Sequence, residues 1–303
     1  MRREVHSRFS PAWLPQAAIL VTPFRWDAER AVKLRFSAGR AIRYPSLRDL
    51  YQPPAPQVGA TYFLAGNRDL APEKAWALRA SVETNPTRWL STTVTGFYSE
   101  TSDYIRARYD GQDIQVGEET IPANPALCNL GILIWCSDRV SPVTSPVYAN
   151  ANLDDLVSYG IESRIELRPH PLVQLQLGYT WNRSLIEDSN LQIDELPNSP
   201  EHVANGVVTL TAPRTQTTLT TRGQWRSRAL IERSGTGLAG FATNQESNTS
   251  FELDLRLRQP LDEWLGHGLE IFGDVQNATD NRVIDSYVVR GRSFLIGIRG
   301  RFP

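Results

Sequence analysis

The sequence predicts an all-β fold, an antiparallel up-and-down transmembrane β-barrel of about eleven strands, with short turns at one end and long loops at the other. Three observations point there. Apolar and polar side chains alternate with period two along many segments of 9 to 12 residues. Short and long connectors alternate along the chain without exception. No window approaches the ~18 consecutive apolar residues of a membrane-crossing helix.

The alternation is plainest in "YGIESRIELR", where Tyr159, Ile161, Ile165 and Leu167 interleave with Glu162, Arg164, Glu166 and Arg168. It recurs in "VQLQLGYTW" (Val173–Trp181) and in "FELDLRLR", where Phe251, Leu253, Leu255 and Leu257 face one way and Glu252, Asp254, Arg256 and Arg258 the other. Each is a strand with one apolar and one wet face. Weaker alternation marks Ala17–Phe24, Ala31–Gly39, Ala75–Glu83, Leu90–Tyr98, His202–Ala212, Thr217–Arg226, Gly268–Asn277 and Arg292–Phe302. The usual globular strand is about 5–6 residues, so these are long.

The connectors sort into two kinds. "RWDAE", "NPTR", "PHP", "APRT" and "QPLDEWLGH" are short. Ala41–Lys74, Asp110–Asp155, Arg183–Glu201, Ala229–Asn248 and Ala278–Gly291 are long. A β-sandwich has no reason to sort its connectors so; a transmembrane barrel does, with short periplasmic turns and long extracellular loops. An arginine on the lipid side at mid-bilayer costs about 2–4 kcal/mol, so the Glu162/Arg164/Glu166/Arg168 face lines a lumen and the Ile161/Ile165/Leu167 face meets hydrocarbon. An open strand edge cannot be satisfied in lipid, which asks for closure.

Bulk properties agree. The 303 residues carry 32 basic and 33 acidic groups, net −1, with no basic surplus for a nucleic-acid partner. Hydrophobic residues at 41% and charged residues at 21% exclude a disordered chain. The first twenty residues are no secretory signal, because Ser7, Ser10, Pro11 and Pro15 interrupt any apolar stretch.

"AGRAIRYPSLRDLY" (Ala38–Tyr51) running into "GNRDLAPEKAWALRASVE" (Gly66–Glu83) resembles the C-terminal barrel half of TonB-dependent outer-membrane receptors. "YGIESRIEL", "NSPEHVANGVVTL" (Asn198–Leu210), "VQNATDNRV" (Val275–Val283) and "SFLIGIRGRF" are similar to further motifs of that family, in its order. The resemblance implies half of a 22-stranded barrel, with residues 1–303 one barrel segment and the plug domain absent. It implies a bacterial outer-membrane location, although this chain carries no signal peptide. The ligand would be scarce and large, such as a ferric siderophore, cobalamin, haem or a carbohydrate. The partners would be a plug domain, the missing barrel half, the TonB system, the barrel-assembly machinery and outer-membrane lipid. Phe302 stands where the family places its C-terminal assembly signal, although here Pro303 follows it.

With long loops outside, the first and last strands both run inward and Phe302 ends in the periplasm. Complete bacterial barrels have even strand numbers; eleven is odd, which reads as the C-terminal part of a longer receptor.

Candidate sites lie in the longest loop. Cys128 and Cys136, the two cysteines of the chain, bracket "NLGILIW". In an oxidising compartment they would form a disulfide stiffening the loop; the alternative is a pair of thiols. Leu130, Ile132, Trp135 and Tyr148 are the candidate ligand-facing residues, the apolar insert being readable also as a hairpin over the barrel mouth. His6, His170, His202 and His267 are scattered without metal-ligand spacing. No nucleophile elbow, phosphate loop or dinucleotide fingerprint occurs, so neither catalysis nor a cofactor is expected. Trp76, Trp89, Trp181, Trp225 and Tyr179 fall near strand ends, as in interfacial girdles. Two other readings compete: a soluble all-β binding module of lectin-like sandwich form, and an enzyme in a smaller outer-membrane barrel.

Overall fold

The structure, a computed structural model, describes residues 1–56, 62–122, 138–152, 155–187, 195–232, 244–261, 268–281, 283–284, 287–288 and 291–300. Thirteen strands of eight residues or more occur among them: β1 (Gln16–Arg25), β2 (Ala31–Arg43), β3 (Glu73–Thr87), β4 (Leu90–Ser102), β5 (Ile105–Ile121), β6 (Arg139–Asn152), β7 (Asp155–His170), β8 (Val173–Glu187), β9 (His202–Thr211), β10 (Thr218–Arg226), β11 (Ser250–Pro260), β12 (Leu269–Gln276) and β13 (Ser293–Gly300). Eleven of them, all but β5 and β6, form one sheet in chain order with every neighbouring pair antiparallel. These eleven coincide with the eleven segments expected from period two. The sheet is open: β1 and β13 are its two edges and do not pair with each other.

The register shows why the pattern took that form. Ile19, Phe36, Ala80, Gly96, Ile161 and Trp181 stand in one cross-strand row. Trp225 pairs with Phe251, Leu219 with Leu257, and Gly273 with Ile296 on the same face. This face is open rather than packed, with Phe294 72% and Ile296 82% exposed. A water-soluble monomer rarely exposes more than a few hundred Å² of contiguous apolar surface, and a sandwich would bury this side against a second sheet. Among the described residues the buried apolar cluster is instead Leu50, Leu70 and Ile105, at the base of the long loops.

The opposite face is polar and internally paired. Lys33 Nζ lies 2.7 Å from Glu83, and Arg256 grips Asp274 through two bonds of 2.6 Å. Arg258 and Arg299 each approach Glu270 at 3.3 Å. The Phe272 ring lies over Gly297, where a Cβ would sit 2.5 Å from it, and carries the Arg256 and Arg299 guanidiniums at 5.7 Å from its centroid.

Connectors of two to eight residues alternate with connectors of 14 to 52 residues between the eleven strands. In the first short turn the Asp27 carboxylate accepts the Arg30 Nε at 2.7 Å and the amides of Arg30 and Glu29. Arg30 and those amides hold its pKa down at about 2.

Two expectations need correction. The connector Asp110–Asp155 is not a plain loop, because β5 and β6 pair antiparallel from Ile105↔Asn152 to Arg139↔Ile121, with irregularities between Val143 and Thr144 and between Pro146 and Tyr148. Several wall strands also run past their apolar stretch, β3 to Thr87, β4 to Ser102 and β8 to Glu187. An extension beyond the hydrocarbon has water on both faces and needs no alternation.

Candidate functional site at the loop base

The long-loop end is organised by the motif that opens β3. Glu73 is 6% exposed. Its carboxylate accepts two bonds from the Arg43 guanidinium and one, at 2.7 Å, from the backbone N–H of Ile105, the first residue of β5. The wall and the external hairpin are thus joined through one side chain. Asn152, at the other root of the hairpin, accepts the Ala71 N–H at 2.8 Å and donates to the carbonyls of Ala71 and Asp103 at 3.0 and 2.7 Å. Asn67 donates to the Asn150 carbonyl at 2.9 Å.

The same motif captures a short helix, α1 (Leu47–Tyr51). Ser46 and Asp49 form a reciprocal capping box at its start. The Asn67 N–H donates to the Asp49 carbonyl and the Gly66 N–H to that of Gln52, both at 2.8 Å. A Cβ at Gly66 would lie 2.7–2.9 Å from the Gln52, Tyr51 and Leu50 backbone, so only glycine allows this approach. Leu50, Leu70 and Ile105 then close over the junction.

Above this base stand aromatic and cationic side chains. Tyr148 pairs with Tyr109 across β5 and β6, with ring centroids 6.1 Å apart, and meets Tyr62 at 4.9 Å. The Tyr109 hydroxyl donates to Asp113 at 3.1 Å, which raises its pKa above that of a free phenol. Nearby, Tyr51 carries the guanidiniums of Arg8 and Arg68 at 5.5 and 5.4 Å from its ring centroid. His6 stacks on Tyr44 at 4.6 Å. Rings and guanidiniums in such arrays attract flat aromatic and anionic groups.

Of the expected ligand-facing residues, the structure places Tyr148 within this cluster. Leu130, Ile132 and Trp135 lie outside the described residues, as do Cys128, Cys136, His267 and Phe302. His170 accepts the Leu172 N–H within a short turn, and His202 meets the Tyr179 hydroxyl at 2.8 Å. Of the expected girdle residues, Trp76, Tyr179, Trp181 and Trp225 stand on the apolar face toward the long loops, while Trp89 lies in a short turn. Sequence reasoning missed Glu73, Asn152, Tyr62, Tyr109 and the Arg8–Tyr51–Arg68 stack. For Tyr109 a signal existed: Ile105, Ala107 and Tyr109 alternate with Arg106, Arg108 and Asp110.

With this geometry established, comparison with known proteins is direct. A family model described as TonB dependent receptor-like, beta-barrel, matches residues 2–278. An iron-regulated outer membrane virulence protein of Vibrio cholerae serotype O1 is 24% identical over 180 residues, which are 59% of this chain and 24% of that protein. Among solved structures, the siderophore receptor PirA from Acinetobacter baumannii superposes with a TM-score of 0.63 at 14% identity, covering 96% of this chain and 41% of that one. A variant of the ferric enterobactin receptor PfeA from Pseudomonas aeruginosa, in complex with enterobactin, gives 0.65 at 16% identity, covering 95% and 40%. The chain therefore spans about a quarter of the curated relative's length and about two fifths of these solved chains.

Proposed function

Because the chain belongs to the TonB-dependent receptor β-barrel family, we propose that it forms the loop-bearing C-terminal part of the wall of an outer-membrane receptor for a ferric siderophore or similar iron chelate. The observation that carries this reading is the division of one sheet between two solvents. An apolar face suits hydrocarbon, a salt-bridged face suits a wet lumen, and the cluster of stacked tyrosines and guanidiniums rises from the long-loop end. Cobalamin, haem and carbohydrate remain within the family's range, but the named relatives point to iron.

In this reading the external cluster captures the chelate. Tyr62, Tyr109 and Tyr148 offer ring faces, and Arg8 and Arg68 offer charge to an anionic complex. Passage through the lumen would need a plug domain, the remainder of the barrel and energy delivered through TonB. The barrel-assembly machinery would insert the wall, and a Cys128–Cys136 disulfide would stiffen the loop that carries those cysteines.

The test is direct binding. Vesicles holding the inserted chain are titrated with a ferric catecholate, a ferric hydroxamate and haem, followed by tryptophan fluorescence. Saturable binding of one chelate, weakened in a Tyr148→Ala, Tyr109→Ala double variant, is expected. No saturable binding of any of the three, with the sheet shown to be inserted, overturns the ligand assignment.

A further inference from the structure

The apolar face carries a groove that the receptor reading leaves unused. In the row Ile19–Phe36–Ala80–Gly96–Ile161 and the adjacent row Ala17–Ala38–Leu78–Tyr98–Tyr159, small residues cluster near the middle. They leave a cavity of about 590 Å³, within the ~300–1,000 Å³ range of small-molecule pockets. Ala38, Ala80 and Gly96 form its floor, and Phe36, Leu78 and Trp181 its walls. A Cβ at Gly96 would meet nothing within 4 Å, so the space above the floor is open.

Register fixes which solvent this groove meets. All six of those residues stand on the same face as Phe251 and Ile296, the apolar face. The backbone beneath is committed to sheet ladders, so no polar group asks for a partner. The groove crosses β1 to β4, β7 and β8, five inter-strand spacings, or roughly 24 Å. A strand tilt of about 35–45° inclines such a path to the membrane normal, and one leaflet of hydrocarbon is about 15 Å deep. Arg183 stands two residues beyond Trp181 on the same face, toward the long loops; its side chain is half exposed and its Nε lies 3.8 Å from the Glu201 carboxylate, a loose pair that engages one edge of the guanidinium and leaves N–H donors beyond it. A cation lies where a headgroup phosphate would sit.

We infer that this groove holds one acyl chain of a phosphate-bearing membrane lipid, with the phosphate at Arg183. The inference rests on the membrane reading of the apolar face. A linear hydrocarbon fits a narrow channel floored by alanine and glycine, and the groove is continuous with the surface that lipid covers.

The test uses the full chain in phosphatidylethanolamine vesicles doped with phosphatidylethanolamine bearing a photoreactive diazirine on its acyl chain, with adducts mapped by mass spectrometry. Adducts are expected to concentrate on Phe36, Leu78 and Trp181 above the equally lipid-facing Phe251 and Ile296. Gly96→Leu and, separately, Ala80→Leu fill the floor. Each should cut groove labelling about fourfold, the equilibrium equivalent of displacing one buried methylene, with Phe251 and Ile296 unchanged. Ala77→Leu, on the luminal face, should change neither. Uniform labelling, or labelling indifferent to both leucines, would overturn the inference. Absence of adducts at Phe251 and Ile296 as well would instead overturn the membrane reading beneath it.

Discussion

Replacing Glu73 with alanine should detach the external hairpin from the wall while leaving the sheet intact. The mutation removes one acceptor from two partners that respond differently. The Arg43 side chain is 57% exposed, so it rehydrates at little cost. Ile105 is buried, and its N–H loses its acceptor inside the junction, costing about 1–3 kcal/mol. A fully buried pair would cost about 3–5 kcal/mol when broken; the wet arginine holds the total to about 2–3 kcal/mol. That corresponds to roughly 30- to 150-fold more frequent opening of the hairpin root. Glu73→Gln keeps an oxygen for the Ile105 amide and should cost about 1 kcal/mol or less. The assay is amide hydrogen exchange of the full chain in detergent micelles, read over Ile105–Arg108 and Val147–Asn152, with β10 as internal reference. Unchanged exchange at the root in the alanine variant would refute the reasoning, as would a glutamine variant equally impaired.

Three further outcomes are expected. Ile161→Arg should lower unfolding stability in vesicles by about 2–4 kcal/mol and Glu162→Leu by much less, measured by urea titration; equal effects would mean that the two faces do not meet different solvents. Gly66→Ala forces a methyl against the α1 backbone and should cost about 1–3 kcal/mol, seen as faster proteolysis within residues 44–72; a wild-type cleavage rate would count against the close approach. The raised pKa of Tyr109 means that its bond to Asp113 contributes below the ordinary phenol pKa and is lost as pH rises through the raised value. Alkaline difference spectroscopy against Tyr109→Phe should show this phenol ionising later than a free tyrosine, and Asp113→Asn, which removes the charge facing it, should shorten the delay.

The eleven wall strands were legible because each lies between two solvents, and two solvents write a period of two into residues such as Ile161 to Arg168. The β5–β6 hairpin was less legible: Ile105, Ala107 and Tyr109 alternate with charged residues at its root, but a ribbon standing outside the membrane has water on both sides, and in "GQDIQVGEET" only Ile114 and Val116 keep the rhythm. Strand ends blurred for the same reason at Ser102 and Glu187. The motif "GNRDLAPE" was placed correctly at the end of a long loop, yet its work was invisible. That Glu73 binds an amide 32 residues away, or that Gly66 touches α1, depends on how the loops fold back. Tyr148 was singled out from its loop by residue type, while its companions Tyr62 and Tyr109 reach it only through strand pairing.

The two margins of the sheet carry one more consequence. With eleven antiparallel strands, β1 and β13 point the same way. A segment that pairs with both margins in the antiparallel sense must therefore bring an odd number of up-and-down strands, since only an odd count begins and ends running opposite to β1 and β13.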